Sequence, residues 1–300
     1  MPEINNYLAW ICDRYQALFG QVAPRHDQVF LEFATPMLMA IGQGDAPFHN
    51  LRHALQVAQV GQLILEGKQQ FEGSVSPTDW LHLMLALVSQ DIGFVKGIFE
   101  RDCEIELVFY DGNCGQVKLP STATGSALFD CHVDRSKAYV MFNLRHPRLD
   151  AETIQRYVET TRFPIPQEAG YHDNLSYGGL CRAADLLGQL SAPHYLQNLS
   201  NLFQEFEENG MNQILGYRTP TDLQYQYPNF FWQVVYPYVK GSMRYLSATK
   251  PGRQAIAQLY TNLCLAEMTH PPCEAPVEMT QWAISDPIFL PWQESGFIFS

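Results

Sequence analysis

Phe48-His49-Asn50-Leu51-Arg52-His53-Ala54-Leu55-Gln56-Val57-Ala58-Gln59-Val60-Gly61-Gln62-Leu63-Ile64-Leu65 is the stretch whose reading decides the fold. From Asn50 to Leu65 its apolar residues form two stripes. Leu51, Ala54, Leu55 and Ala58 make one, while Val57, Val60 and Ile64 extend the other upward from His53. A helix that is apolar on most faces belongs in the middle of a bundle. The next stretch repeats the theme. Ser76-Pro77-Thr78-Asp79 has the form of a helix start, with Pro near the first turn, and Trp80 to Val88 is almost wholly apolar. Two central helices in succession predict a mainly α protein.

Around them, Asn5–Phe19 and His26–Ile41 show the helical period, the second interrupted at Pro36. Helical patterns return at Asp150–Thr161, Gly178–Leu190, Pro193–Asn209, Phe230–Leu246 and Gly252–Met268. Between them, Glu104–Tyr110 and Gln116–Leu119 alternate in part and flank the turn residues Asp111–Gly115, which predicts an inserted β-hairpin at about 100–120. Residues 1–270 read as one helical domain. Residues 271–300 form a tail rich in Pro and aromatic residues, expected to dock on its own domain or to join two copies in a homo-oligomer.

Composition narrows the function. The chain has 300 residues, 46% of them hydrophobic, and 31 Asp and Glu against 19 Lys and Arg. Its net charge of −12 would be repelled by phosphate backbones and anionic membranes, so neither is an expected partner. No apolar run approaches the length of a spanning helix, and Met1–Asn6 lacks the character of a signal peptide. The seven cysteines are scattered and form no CxxC pair, which fits free thiols in a reducing cytoplasm.

The residues that can carry chemistry are few. His49 and His53 are four apart and share one face of a helix. By itself such a pair is as compatible with two satisfied core histidines as with a site. Gln90-Asp91 ends the apolar helix, and Asp91 there faces the negative end of the helix dipole unless a cation sits nearby. Asp185, in Arg182-Ala-Ala-Asp185-Leu-Leu-Gly188, needs a partner among small and apolar neighbours, and Arg182 could be that partner. Taken together, one histidine and two carboxylates on three buried helices point to a hard divalent cation, Mn²⁺ or Mg²⁺ before Zn²⁺ or Fe. Among the rest, His132 and Asp134 fit either extra ligands or a loop anchor, and His82 reads as a satisfied core histidine.

In these elements the chain resembles the HD-domain metal-dependent phosphohydrolases, in which an early helical histidine, a His-Asp doublet and a late Asp bind the metal. Phe-His-Asn-Leu-Arg-His-Ala is similar to the YHNxxHA signature of cyclic-nucleotide phosphodiesterases in that superfamily. Cys131–Lys137, Leu149–Ile154, Thr160–Pro164 and Ala184–Gln189 resemble stand-alone HD-domain proteins of bacteria, cyanobacteria included. The likeness spans most of residues 45–260. It implies an HD-type helical bundle, with His53, Asp91 and Asp185 as metal ligands supplemented by the Gln90 oxygen. It also implies a small phosphorylated ligand, such as a nucleotide or another phosphate ester. In that scheme a metal-activated water attacks phosphorus and His49 protonates the leaving oxygen. Arg52, Lys96, Arg135 and Arg182 would neutralise the phosphate. Gln90 stands where the family has histidine, so the expectation is one ion or none. A second ion would need His132, Asp134 or His172. The alternative is a degenerate HD protein that binds a ligand without turnover.

Overall fold

In the computed structural model, which describes residues 2–20 and 24–269, helix α3 (Leu51–Glu72) runs through the middle of a mainly helical molecule. Asn50 starts it by accepting the backbone N–H groups of Arg52 at 3.0 Å and His53 at 3.4 Å, as an N-cap should. Against α3 pack α4 (Pro77–Ser89), α7 (Tyr177–Leu190) and α11 (Tyr236–Ala248). Every residue of α4 from Leu83 to Val88 is fully buried, and each large side chain there contributes about 1.5–3 kcal/mol. Ser76 and Asp79 close a reciprocal capping box at its start.

Two glycines set how near the helices come. A Cβ on Gly188 of α7 would lie 2.7 Å from the Val57 Cα, and one on Gly67 of α3 would overlap the Tyr245 carbonyl of α11. A chain of polar contacts ties α3 to α4 and to the first helix. Trp80 donates its indole N–H to Gln62 at 2.6 Å, Gln62 donates to Glu66 at 2.9 Å, and Glu66 is paired with Arg14 of α1 (Pro2–Phe19). Helix α2 (His26–Ile41) runs unbroken through Pro36, where a break was expected. Burial of Ala34, Met37 and Leu38 on the surrounding turns offsets the hydrogen bond that Pro36 cannot make.

One continuous core extends from Ile4 to Ala266. Its remaining helices are α5 (His132–Asn143), α6 (Ala151–Glu159), α8 (Tyr195–Glu208), α9 (Met211–Leu215), α10 (Pro220–Phe230) and α12 (Lys250–Met268), and a π-turn at Phe231–Val235 joins α10 to α11. The hairpin is present but shorter than expected. Strands β1 (Val108–Tyr110) and β2 (Gln116–Lys118) pair antiparallel, Phe109 opposite Val117. Glu104 to Leu107 form a turn instead of strand, because Leu107 takes a left-handed φ of 57° and Cys103 bridges back to Val108. The hairpin covers a small second cluster of Phe109, Leu119, Leu128 and Cys131.

Cys12, Cys103, Cys114, Cys131, Cys181 and Cys264 are free thiols. No described helix is long and apolar enough to cross a membrane. The aromatic tail of residues 271–300 lies outside the described residues.

Candidate metal centre

The bundle brings His53, Asp91 and Asp185 together from α3, the turn after α4, and α7. One ligand atom from each lies within 4.8 Å of the other two. His53 Nε2 stands 3.0 Å from Asp91 Oδ2 and 3.5 Å from Asp185 Oδ1. Among the described residues neither His53 Nε2 nor Asp91 Oδ2 makes an aligned hydrogen bond, and the buried Gln90 Oε1 has no partner either. Buried polar atoms without a partner are uncommon in folded proteins, and here they fall on three neighbouring residues. A shared divalent cation would satisfy them, so the residues fit such an ion.

Electrostatics agree. Burial opposes charge on the His53 imidazole, but Asp185 and Asp91 override it and hold its pKa up at about 10. Burial would also raise the Asp91 carboxyl, yet His53, His49 and His132 keep it well below the usual range. The cluster demands positive charge. Gln90 answers the demand only in part: its amide Nε2 donates to Asp185 Oδ1 at 2.8 Å.

The turn carrying Gln90 and Asp91 is held by α5. Ser136 donates its hydroxyl to the Gln90 carbonyl at 2.6 Å and accepts the Gly93 N–H at 2.9 Å. Arg135 donates to the carbonyls of Gly93 at 2.7 Å, Val95 at 2.9 Å and Tyr110 of the hairpin, and ion-pairs with Asp102 at 3.1 Å. Both charged side chains are fully buried. Arg135 is therefore a bracket for the turn, and the expected phosphate contact is corrected.

His49 is held from the other side. Its Nδ1 stands 2.5 Å from Glu205 Oε2 of α8, and Glu205 Oε1 accepts the N–H groups of Phe48 at 2.7 Å and His49 at 3.0 Å. Burial pulls the His49 pKa down, and Glu205 more than compensates, leaving it raised. The His49 ring stacks on Phe94 at 4.7 Å, and Phe94 stacks on His132 at 4.2 Å. His132 donates Nδ1–H to the Phe129 carbonyl at 2.5 Å. It therefore borders the centre, though it is not one of the three grouped ligands.

A cavity of about 130 Å³ opens beside Asp91, Asp185, His49 and His132. Arg182, on α7 one turn before Asp185, lines it too. This guanidinium is 2% exposed and forms no ion pair among the described residues, contrary to a pairing with Asp185. Nη2 donates to Asn174 at 2.7 Å and the group lies over the Tyr238 ring, while Nε and Nη1 have no partner among the described residues.

Other expected participants are elsewhere. Arg52 is exposed and borders, with His53, a separate surface cleft. Lys96 pairs with Asp45 at 2.6 Å and is absent from the cavity wall. Asp134 is taken by Arg162 at 2.8 Å and Lys137 at 3.3 Å, so it is no metal ligand. His172 is exposed and bonded to the Gln167 carbonyl, likewise no ligand. His82 Nε2 accepts the Asp150 N–H at 3.1 Å, a satisfied core histidine. Sequence reasoning missed Glu205 and Phe94. The one signal for Glu205 was a carboxylate among Leu202, Phe203 and Phe206 on an otherwise amphipathic helix.

No curated protein matches this chain. The sequence profile of a family described as Npun_R2479-like matches residues 3–269. The chain belongs to the Npun_R2479-like family.

Proposed function

We propose that this protein is a metal-dependent phosphohydrolase with an HD-type centre. The observation that carries the reading is the convergence of His53 Nε2, Asp91 Oδ2 and Gln90 Oε1, all buried and unsatisfied, with Asp185 within ligand distance. One imidazole and several oxygens suit Mn²⁺ or Mg²⁺. When bound, such an ion supplies Lewis-acid activation of water and of a phosphoryl oxygen. His53, Asp91 and Asp185 would hold it, and Asp91 and Asp185 would do so from the cavity wall. Arg182 offers two unpaired N–H groups to a phosphate in the same cavity. Glu205 holds His49 by Nδ1, which leaves Nε2 to give a proton to the leaving oxygen.

A second reading, ligand binding without turnover, is favoured by the Gln90 amide on Asp185. That contact occupies a lone pair of a ligand and supplies no nitrogen donor. Metal analysis and an aryl-phosphate assay on the full chain decide between them. About one Mn²⁺ per chain and hydrolysis, both lost in His53→Ala, support the phosphohydrolase. Metal without hydrolysis supports the second reading. No metal and no hydrolysis overturn the phosphohydrolase.

A further inference from the structure

The cavity beside the metal centre meets Asp91, Asp185, His49 and His132 but is otherwise lined mostly by apolar and aromatic side chains. Its two arginines are Arg162 and Arg182, and Arg162 is already neutralised by Glu159 at 2.6 Å and Asp134 at 2.8 Å. Arg182 is left as the cation free to meet an anion, enough for a single head group. The rest of the wall is mostly apolar, with Leu202 and Phe206 of α8, Leu223 and Phe230 of α10, and Phe163, interrupted by Gln189, Gln226 and a few tyrosines. A nucleotide would bring a polar base and sugar into this region, where few polar groups could replace their water. Protein interiors hold few voids larger than a water molecule, so an apolar chamber that opens onto a reactive cluster points to an apolar occupant.

We infer that the substrate is a phosphate monoester of an apolar alcohol. Its hydrocarbon or aromatic body lies between α8 and α10, and its phosphoryl group lies beside Asp91, Asp185 and Arg182. The inference rests on the phosphohydrolase reading and narrows its substrate class. In the reaction, a water oxygen forms a new bond to phosphorus as the phosphorus–ester oxygen bond breaks. His49 gives its proton to the departing alcohol oxygen, and the proton lost by water restores it, leaving alcohol and inorganic phosphate.

Calorimetric titration of the full chain in Mn²⁺ with ethyl phosphate, hexyl phosphate, AMP and hexanol tests this. Four added methylenes at roughly fourfold each predict that hexyl phosphate binds about 250-fold more tightly than ethyl phosphate, and more tightly than AMP. Leu202→Trp, which fills the chamber without touching the metal ligands, brings the hexyl-to-ethyl affinity ratio most of the way to one. Leu223→Trp serves the same purpose should the first variant fold poorly. Equal binding of hexyl and ethyl phosphate, or tighter binding of AMP, overturns the apolar substrate and leaves the phosphohydrolase reading standing on metal-dependent ethyl phosphate binding. Hexanol binding as tightly as hexyl phosphate overturns the phosphate head, and with it the phosphohydrolase reading.

Discussion

Asp102→Asn removes one charge from the bracket that holds the Asp91 turn. Asp102 accepts from Arg135 Nη1 at 3.2 Å and Nη2 at 3.1 Å, and from the Tyr110 N–H at 2.8 Å. Asparagine keeps the shape and one acceptor oxygen, so the loss is chiefly electrostatic. Stranding a buried charge typically costs about 3–5 kcal/mol. The carbonyls of Gly93, Val95 and Tyr110 still accept from the guanidinium, which puts the expected cost near the lower limit, about 3 kcal/mol. For a chain of this size each kcal/mol shifts the melting temperature by about 2–4 °C, so a fall of about 6–12 °C follows. Urea denaturation followed by circular dichroism measures the loss directly, and metal content should fall with it. Combining Asp102→Asn with Arg135→Met removes both charges, so the double variant should be destabilised by less than the sum of the singles. A cost below about 1 kcal/mol for Asp102→Asn, or strict additivity in the pair, would refute the reasoning.

Glu205→Gln should lower turnover by about 10- to 100-fold with metal content unchanged. Because Glu205 raises the His49 pKa, the alkaline fall in rate should also move to lower pH. Glu159 gives a stability test: burial opposes its ionisation, but Arg162, Lys137 and Tyr171 hold its pKa down at about 2. Its contribution is present above the unfolded value of about 4.5 and is lost as pH falls toward 2. It amounts to about 3 kcal/mol at most, and Glu159→Gln should flatten that part of the acid-denaturation curve. Gly67→Ala forces α3 away from the Tyr245 carbonyl and should cost about 2–3 kcal/mol in equilibrium unfolding. Gln90→His should raise metal retention on dialysis, and unchanged retention would mean that the glutamine suits the native site.

The central helices were legible because α3 and α4 are apolar on nearly every face, a pattern that only deep burial explains. His53, Asp91 and Asp185 were legible for the converse reason, since polar groups in such surroundings need a partner. Helix α5 was not read as a helix. What it buries includes Arg135, Ser136 and His132, so its inward face carries no apolar period. Arg135 looked like a phosphate ligand because its counter-charge, Asp102, lies 33 residues away and meets it only through the hairpin. Glu205 is 156 residues from His49, and local spacing cannot show a contact of that separation. The chamber likewise depends on how α8 and α10 meet. The extra turn at Leu107 escaped because its left-handed backbone falls on a residue type that seldom adopts it.

Helix α8 has two duties on neighbouring turns. Leu202 and Phe206 face the cavity, while Glu205 between them grips His49. A rigid helix cannot move one of these without the other, so whatever presses on the two apolar side chains also adjusts the proton donor. Under the proposed hydrolysis, fit along the greasy part of a guest would be felt at the bond being cut, and a poorly matched tail should slow the chemical step as well as weaken the grip.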